Sequence, residues 1–264
     1  MNFLETILDH KQVELRERKT RYPIEVLRHS RHYERANLSL AKALRSASPA
    51  IIAELKKASP SKGEIRRDFD VQRLAQGYAQ GGACAISVLT DERFFSGSLQ
   101  NLDLARQTVQ VPLLRKDFII DEYQIHEARA HGADAVLLIV AALSSARLLE
   151  LMREATSLGL EPLVEVHSEK ESAIAVEAGA VLVGINNRDL QSFTVDLGTT
   201  FRIIPTLPSS VTIVSESGIS TADQLVRLRQ AGVHGFLLGE SLMRCENPGA
   251  ALADLIALTR KGSE

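Results

Sequence analysis

The chain has 264 residues, 45% of them hydrophobic, enough for a large core and close to the length at which single α/β barrels cluster. Charged residues make up 24%, both signs are interspersed and the net charge is −2. That excludes the concentrated basic face of a nucleic-acid binder, and it leaves any anionic ligand to be held by local groups. Cys84 and Cys245 have neither metal-ligand spacing nor a disulfide framework, and Cys84 reads as a small core residue. No run approaches the roughly 18 apolar residues of a membrane span. Met1 leads into Asn2 with no basic or apolar leader, so a cytoplasmic protein is expected.

In chain order, residues 1–48 read as a helical extension. Asn2–Tyr22 is a charged helical stretch, and a second helix is expected near Ile24–Leu44, with Pro23 and Pro49 as punctuation. Such a charge run reads as a solvated face; the alternative is that the extension covers one end of the remaining fold. From residue 49 to 264 one rhythm repeats. Apolar strand-like runs stand at Ala50–Leu55, Ala83–Leu89, Pro112–Arg115, Ala135–Val140, Pro162–Val166, Val181–Ile185, Thr212–Ser215 and Gly235–Leu238. Amphipathic segments such as Asp121–His131 and Ser144–Leu158 separate them, several ending in a glycine. Nearly continuous apolar strands alternating with helices predict a parallel sheet covered by helices. Eight units suit closure into a (β/α)8 TIM barrel with an N-terminal helical extension, folded as a single domain. An open doubly wound sheet is the runner-up, but no Gly-x-Gly-x-x-Gly turn follows the first strand, so dinucleotide binding has no support.

Polar residues punctuate the carboxyl ends of these strands, where a barrel gathers its site. Glu54 and Lys56 share one strand direction and would both face the interior; an ion pair plugging the barrel is the alternative. Lys116 directly follows an apolar strand, where desolvation would move its pKa toward neutrality for proton transfer; a surface lysine paired with Asp117 is the alternative. Glu165 is flanked by aliphatic residues and needs a reason to be there. His167 shares its direction, but no third ligand is at hand for a metal. Asn186 could bond a substrate hydroxyl, and Arg188 could pair with an anion. Ser217-Gly218 and Gly239-Glu240 each bring a strand into a glycine and a helix start, the arrangement that cradles a phosphate.

Glu54-Leu55-Lys56-Lys57-Ala58-Ser59-Pro60-Ser61, Thr90-Asp91-Glu92-Arg93-Phe94-Phe95-Ser96-Gly97-Ser98, Lys116-Asp117-Phe118, Glu165-Val166, Gly184-Ile185-Asn186-Asn187-Arg188-Asp189-Leu190 and Glu216-Ser217-Gly218-Ile219 together resemble the indole-3-glycerol phosphate synthase family. The resemblance runs from the N-terminal helices to about residue 247. It implies ring closure of 1-(2-carboxyphenylamino)-1-deoxy-D-ribulose 5-phosphate with loss of carbon dioxide and water, in tryptophan biosynthesis, with no metal or organic cofactor. Lys116 would be the general acid, and Glu165 would handle protons during dehydration. Lys56 would bind the substrate carboxylate and act as second acid, with Glu54 as its polar partner. Asn186 and Ser217 would hold hydroxyls. Ser59, Gly218 and Gly239 match the family's phosphate contacts, with Arg188 beside them. Phe95, Phe118, Leu190 and Leu237 would line the pocket for the aromatic ring. Glu240 departs from relatives that carry a small hydroxyl residue, and only its backbone N–H is expected to contribute. The expected partner is a small phosphorylated molecule bound by a monomer, with neither nucleic acid nor membrane. The rivals are a sugar-phosphate isomerase, which would not require Glu54 and Lys56, and a non-catalytic barrel, which would not require Lys116 and Glu165.

Overall fold

The computed structural model describes residues 3–262. The helix start expected at Asn2 lies outside the described residues. Eight parallel strands close on themselves: β1 (Ile51–Leu55), β2 (Ala85–Leu89), β3 (Leu113–Lys116), β4 (Ala135–Ile139), β5 (Glu161–Val166), β6 (Leu182–Asn186), β7 (Thr212–Glu216) and β8 (Gly235–Leu238). Each pairs with the next, and β8 closes on β1 with Phe236 opposite Ile51. The likeness to an open doubly wound sheet ends at that closure.

The strands are apolar on both faces because each face has its own core. Ile51, Ala53, Leu55, Ile86, Val88, Val136, Leu138, Val164, Val183, Ile185 and Phe236 pack outward against the helices. Ile52, Ala85, Leu114, Ala135, Leu137, Ile139, Leu163, Leu182, Val214 and Leu237 fill the barrel. Side chains alternate along a strand, so any residue two positions beyond an inward one also faces inward. Glu54, Lys116, Glu165, Asn186 and Glu216 are in that phase.

Short polar residues start the helices. Asp70, Asp121, Ser144, Ser168, Thr221 and Asn247 each accept a bond from the first-turn backbone, and Gln124 and Gln224 complete capping boxes. Past the ends of two helices, Gly132 and Gly232 take φ values of 82° and 108°, which side chains rarely adopt.

The extension differs from expectation in two ways. Three helices form, α1 (Phe3–Arg21), α2 (Ile24–Arg28) and α3 (Leu40–Ser46), so no single helix spans Ile24–Leu44. The break is set from far away: buried Asp134 accepts from the Leu38 backbone N–H at 2.8 Å and from Arg35, which holds the chain extended until Ser39 caps α3. Leu40 and Leu44 of α3 then join the barrel's inner core at its strand-start end. The second difference is α1, whose charges are not simply solvated. Lys11 is 1% exposed, its ammonium 2.9 Å from Asp91, 3.0 Å from Asp117 and 3.0 Å from Glu14. Burial opposes its charge, but these carboxylates outweigh burial and push its pKa up. α1 is thereby fixed across the mouth, with Phe3, Leu4 and Ile7 facing the cavity there. Among the described residues no helix is long and apolar enough to cross a membrane.

Candidate active site

A cavity of about 460 Å³ opens at the carboxyl ends of the strands, a volume in the range of small-ligand pockets. Lys116 stands at its floor. Its Nζ is 3.1 Å from Oε2 of Glu165 and 3.4 Å from Oε2 of Glu216. Asp117, the partner a surface lysine would have taken, faces away and binds Lys11 and Arg115. Lys116 is therefore not moved toward neutrality. Burial works to depress its pKa, but the Glu165, Glu216 and Glu54 carboxylates outweigh that and raise it. Burial likewise works to raise Glu165, and the Lys116 ammonium overrides it, holding the carboxylate well below its usual range. Glu216 goes the other way. Burial, with repulsion from Glu165 and Glu54, lifts it from the usual 4.5 to about 7 despite Lys116. The cluster thus holds one firm cation, one firm anion and one carboxyl poised near neutrality.

Glu54 and Lys56 meet as expected, 2.5 Å apart, with Glu54 buried and Lys56 reaching the opening. Oε1 of Glu54 and Oε1 of Glu216 are buried without a hydrogen-bond partner. Glycines make room for both carboxyl groups: a Cβ on Gly184 would collide with Glu216, and one on Gly239 with Glu54. The missing side chain of Gly239 thereby clears Glu54. A Cβ on Gly218 would strike Val195.

Sequence reasoning singled out Ser217 and passed over Glu216. The signals for Glu216 were its phase, two residues beyond inward-facing Val214, and a glycine inside the apolar run Val183-Gly184-Ile185. Ser217 itself lines the cavity with a left-handed φ of 66°, followed by Gly218 at 78°. Asn187 holds this turn. Its Nδ2 lies 2.9 Å from the Glu216 carbonyl, 3.1 Å from that of Ser217 and 3.1 Å from Ser215 Oγ, and its Oδ1 accepts from Thr200. Asn186 reaches the cavity, and its Oδ1 accepts from the Arg188 backbone N–H at 3.0 Å.

Ser59, Arg188, Gly218, Gly239 and Glu240 all line the cavity. The Glu240 carboxylate is engaged there by arginines, 3.7 Å from Arg188 and 3.0 Å from Arg244, so its side chain has partners of its own. Phe95, Phe118, Leu190 and Leu237 form an apolar wall, the two phenylalanine rings 6.1 Å apart. Phe3 of α1 adds to it, its ring 5.2 Å from that of Phe193. The long-range contribution of α1 has no local signature in the sequence.

A parallel eight-stranded barrel with a charged, partly unsatisfied mouth defines a (β/α)8 enzyme. Its fold is shared by thiamine phosphate pyrophosphorylase from Pyrococcus furiosus, with TM-score 0.62 and 18% identity over 84% of this chain and 98% of that one. It is shared too by 3-hexulose-6-phosphate synthase from Salmonella typhimurium, with TM-score 0.65 and 11% identity over 80% and 99%. The family profile "Indole-3-glycerol phosphate synthase" matches residues 4–255. The chain is 50% identical over 264 residues to indole-3-glycerol phosphate synthase of Salinibacter ruber, covering 99% of this chain and 97% of that protein. It is 45% identical to the enzyme of Carboxydothermus hydrogenoformans over 97% and 100%. The chain belongs to the indole-3-glycerol phosphate synthase family, carboxy-lyases of tryptophan biosynthesis.

Proposed function

We propose that this chain converts 1-(2-carboxyphenylamino)-1-deoxy-D-ribulose 5-phosphate to indole-3-glycerol phosphate, with Lys116 as the general acid. The observation that carries this reading is Lys116 held as an ammonium between Glu165 and Glu216, in a cavity also lined by Phe95 and Phe118 and by Ser59, Gly218 and Gly239, the proposed phosphate cradle. The phosphate anchors in the cradle with Arg188, and the aromatic ring lies against Phe95 and Phe118. Lys56 binds the ring carboxylate, and Asn186 and Ser217 hold the hydroxyls. Held so, the ring carbon bearing the carboxylate meets the ketone at close range.

Lys116 gives its proton to the ketone oxygen as the carbon–carbon bond forms. The carboxylate then leaves as carbon dioxide, and its bonding electrons restore the ring. For dehydration, Lys56 protonates the new hydroxyl, which departs as water, while Glu165 takes the proton released as the five-membered ring becomes aromatic. Glu54 holds the Lys56 ammonium in place by their ion pair. Glu216, titrating near neutrality, relays protons between Lys116 and the medium. Two protons are given and one is taken back, so each turnover consumes one proton.

Stoichiometry tests this directly. In weakly buffered solution purged of carbon dioxide as it forms, so that hydration to bicarbonate returns no proton, each indole formed should accompany one carbon dioxide released and one proton taken up. Substrate loss without carbon dioxide would exclude the reaction and favour a simple isomerase.

A further inference from the structure

His167 stands at the mouth and takes no part in the proton transfers assigned to Lys116, Lys56, Glu165 and Glu216. It follows β5 directly, and its ring is caught between two carboxylates. Nε2 is 3.3 Å from Oε1 of Glu165, and Nδ1 is 3.2 Å from Oε2 of Glu171. Glu171 also accepts from the His167 backbone N–H at 2.8 Å, and its own N–H donates to Ser168, the cap of helix Glu169–Glu177. The ring is thus gripped from outside by a helix and presents its other edge to Glu165.

Glu165 divides its oxygens. Oε2 meets Lys116, and Oε1 meets His167. A neutral imidazole has one N–H and could serve only one of its two carboxylates; a doubly protonated ring serves both. Burial opposes that charge, yet the two carboxylates outweigh burial and raise the imidazole to about 10. Asp189, on the loop after β6, adds a further negative charge near enough to interact with the ring. Lys116, the nearby cation, is screened from it by Glu165. The Nε2 contact lacks hydrogen-bond alignment, so the ring holds Oε1 by charge.

We propose that His167 is a positioning residue for the dehydration step: clamped by Glu171, it holds Oε1 of Glu165 and leaves Oε2 turned to Lys116 and the substrate. This inference rests on the role of Glu165 in the proposed function. Without the ring, Glu165 can rotate, and it loses a cation that keeps it ionised. Its pKa then rises, so the acid limb of the rate profile moves to higher pH.

The test compares His167→Gln, Glu171→Gln and Glu165→Gln with the wild type, measuring kcat, KM and kcat/KM from about pH 4 to 10, which spans the ordinary carboxylate range and the raised imidazole, with thermal melting as a check on folding. His167→Gln should lower kcat about ten-fold, as loss of a supporting partner does elsewhere, leave KM unchanged and shift the acid limb upward. Glu171→Gln should shift both in the same direction by less, and it carries the test alone if His167→Gln does not fold. Wild-type kcat and pH profile in the folded variants, with Glu165→Gln inactive, would overturn this inference and leave the proposed function standing. A raised KM at unchanged kcat would also overturn it, by making His167 a substrate contact. Wild-type turnover in Glu165→Gln would remove the role of Glu165 and this inference with it.

Discussion

The barrel buries a charge cluster at each end, and the two are built differently. At the strand-start end, Asp134 has both oxygens occupied: Oδ1 by Arg35 and the Leu38 N–H, Oδ2 by Arg106 and the Leu113 N–H. At the mouth, Lys116, Glu165, Glu216 and Glu54 crowd together while Oε1 of Glu54 and Oε1 of Glu216 stay unpartnered. Burying a charge is tolerable when its hydrogen bonds are met and costly when they are not. The strand-start cluster, its carboxylate saturated although Nε of Arg35 has no partner, ties the extension to the barrel. The unsaturated one retains bonding capacity that a substrate can use, and burial, with repulsion from Glu165 and Glu54, puts Glu216 near neutrality.

Substitutions at the two ends should therefore separate activity from stability. The largest effect expected is Lys116→Ala, with turnover reduced by roughly 10²–10⁴-fold while the melting cooperativity of the barrel persists; steady-state kinetics and circular dichroism check both. Asp134→Ala should do the reverse, costing about 3–5 kcal/mol because Arg35 and Arg106 lose their partner. Its turnover per folded molecule should match the wild type, and urea unfolding measures the loss. Gly239→Ala should lower kcat by on the order of 10-fold through displacement of Glu54, with little change in inhibition by inorganic phosphate. An effect on phosphate inhibition alone would mean that Gly239 serves the phosphate cradle and not the placement of Glu54.

The smallest effect should be on pH-dependent stability. Because Glu216 is raised from 4.5 to about 7 in the fold, the native state holds its proton more tightly than the unfolded chain. Stability is then fullest below the unfolded value and falls as pH rises through the folded one. The Tm of the wild type, relative to Glu216→Gln, should decline between about pH 5 and 8. A pH-independent difference would place the Glu216 pKa outside that window.

The same contrast explains what the sequence disclosed. The strands and most polar residues at their ends were legible because two-residue alternation is local: Glu54 follows Ile52 inward, Lys116 follows Leu114 and Glu165 follows Leu163. Glu216 obeyed the same rule beside Val214, but the adjacent Ser217-Gly218 turn carried the more conspicuous signal. What stayed hidden was set at long range. The break in the second expected helix depends on Asp134, 96 residues beyond Leu38. Nothing near Lys11 announces that Asp91 and Asp117 will bury it, so a charged helix looked solvated. The raised pKa of Lys116 was hidden for the same reason, since burial was foreseeable and the converging carboxylates were not.

The chain contains no Trp, so it has no indole emission of its own. Adding the carboxyphenylamino-deoxyribulose phosphate and following fluorescence therefore reads product formation directly. Tryptophan-like emission should grow with time in the wild type, persist with a chelator present and vanish in Lys116→Ala. Substrate consumed without emission, or equal emission from Lys116→Ala, would contradict the claim that the Lys116 cluster closes the indole ring.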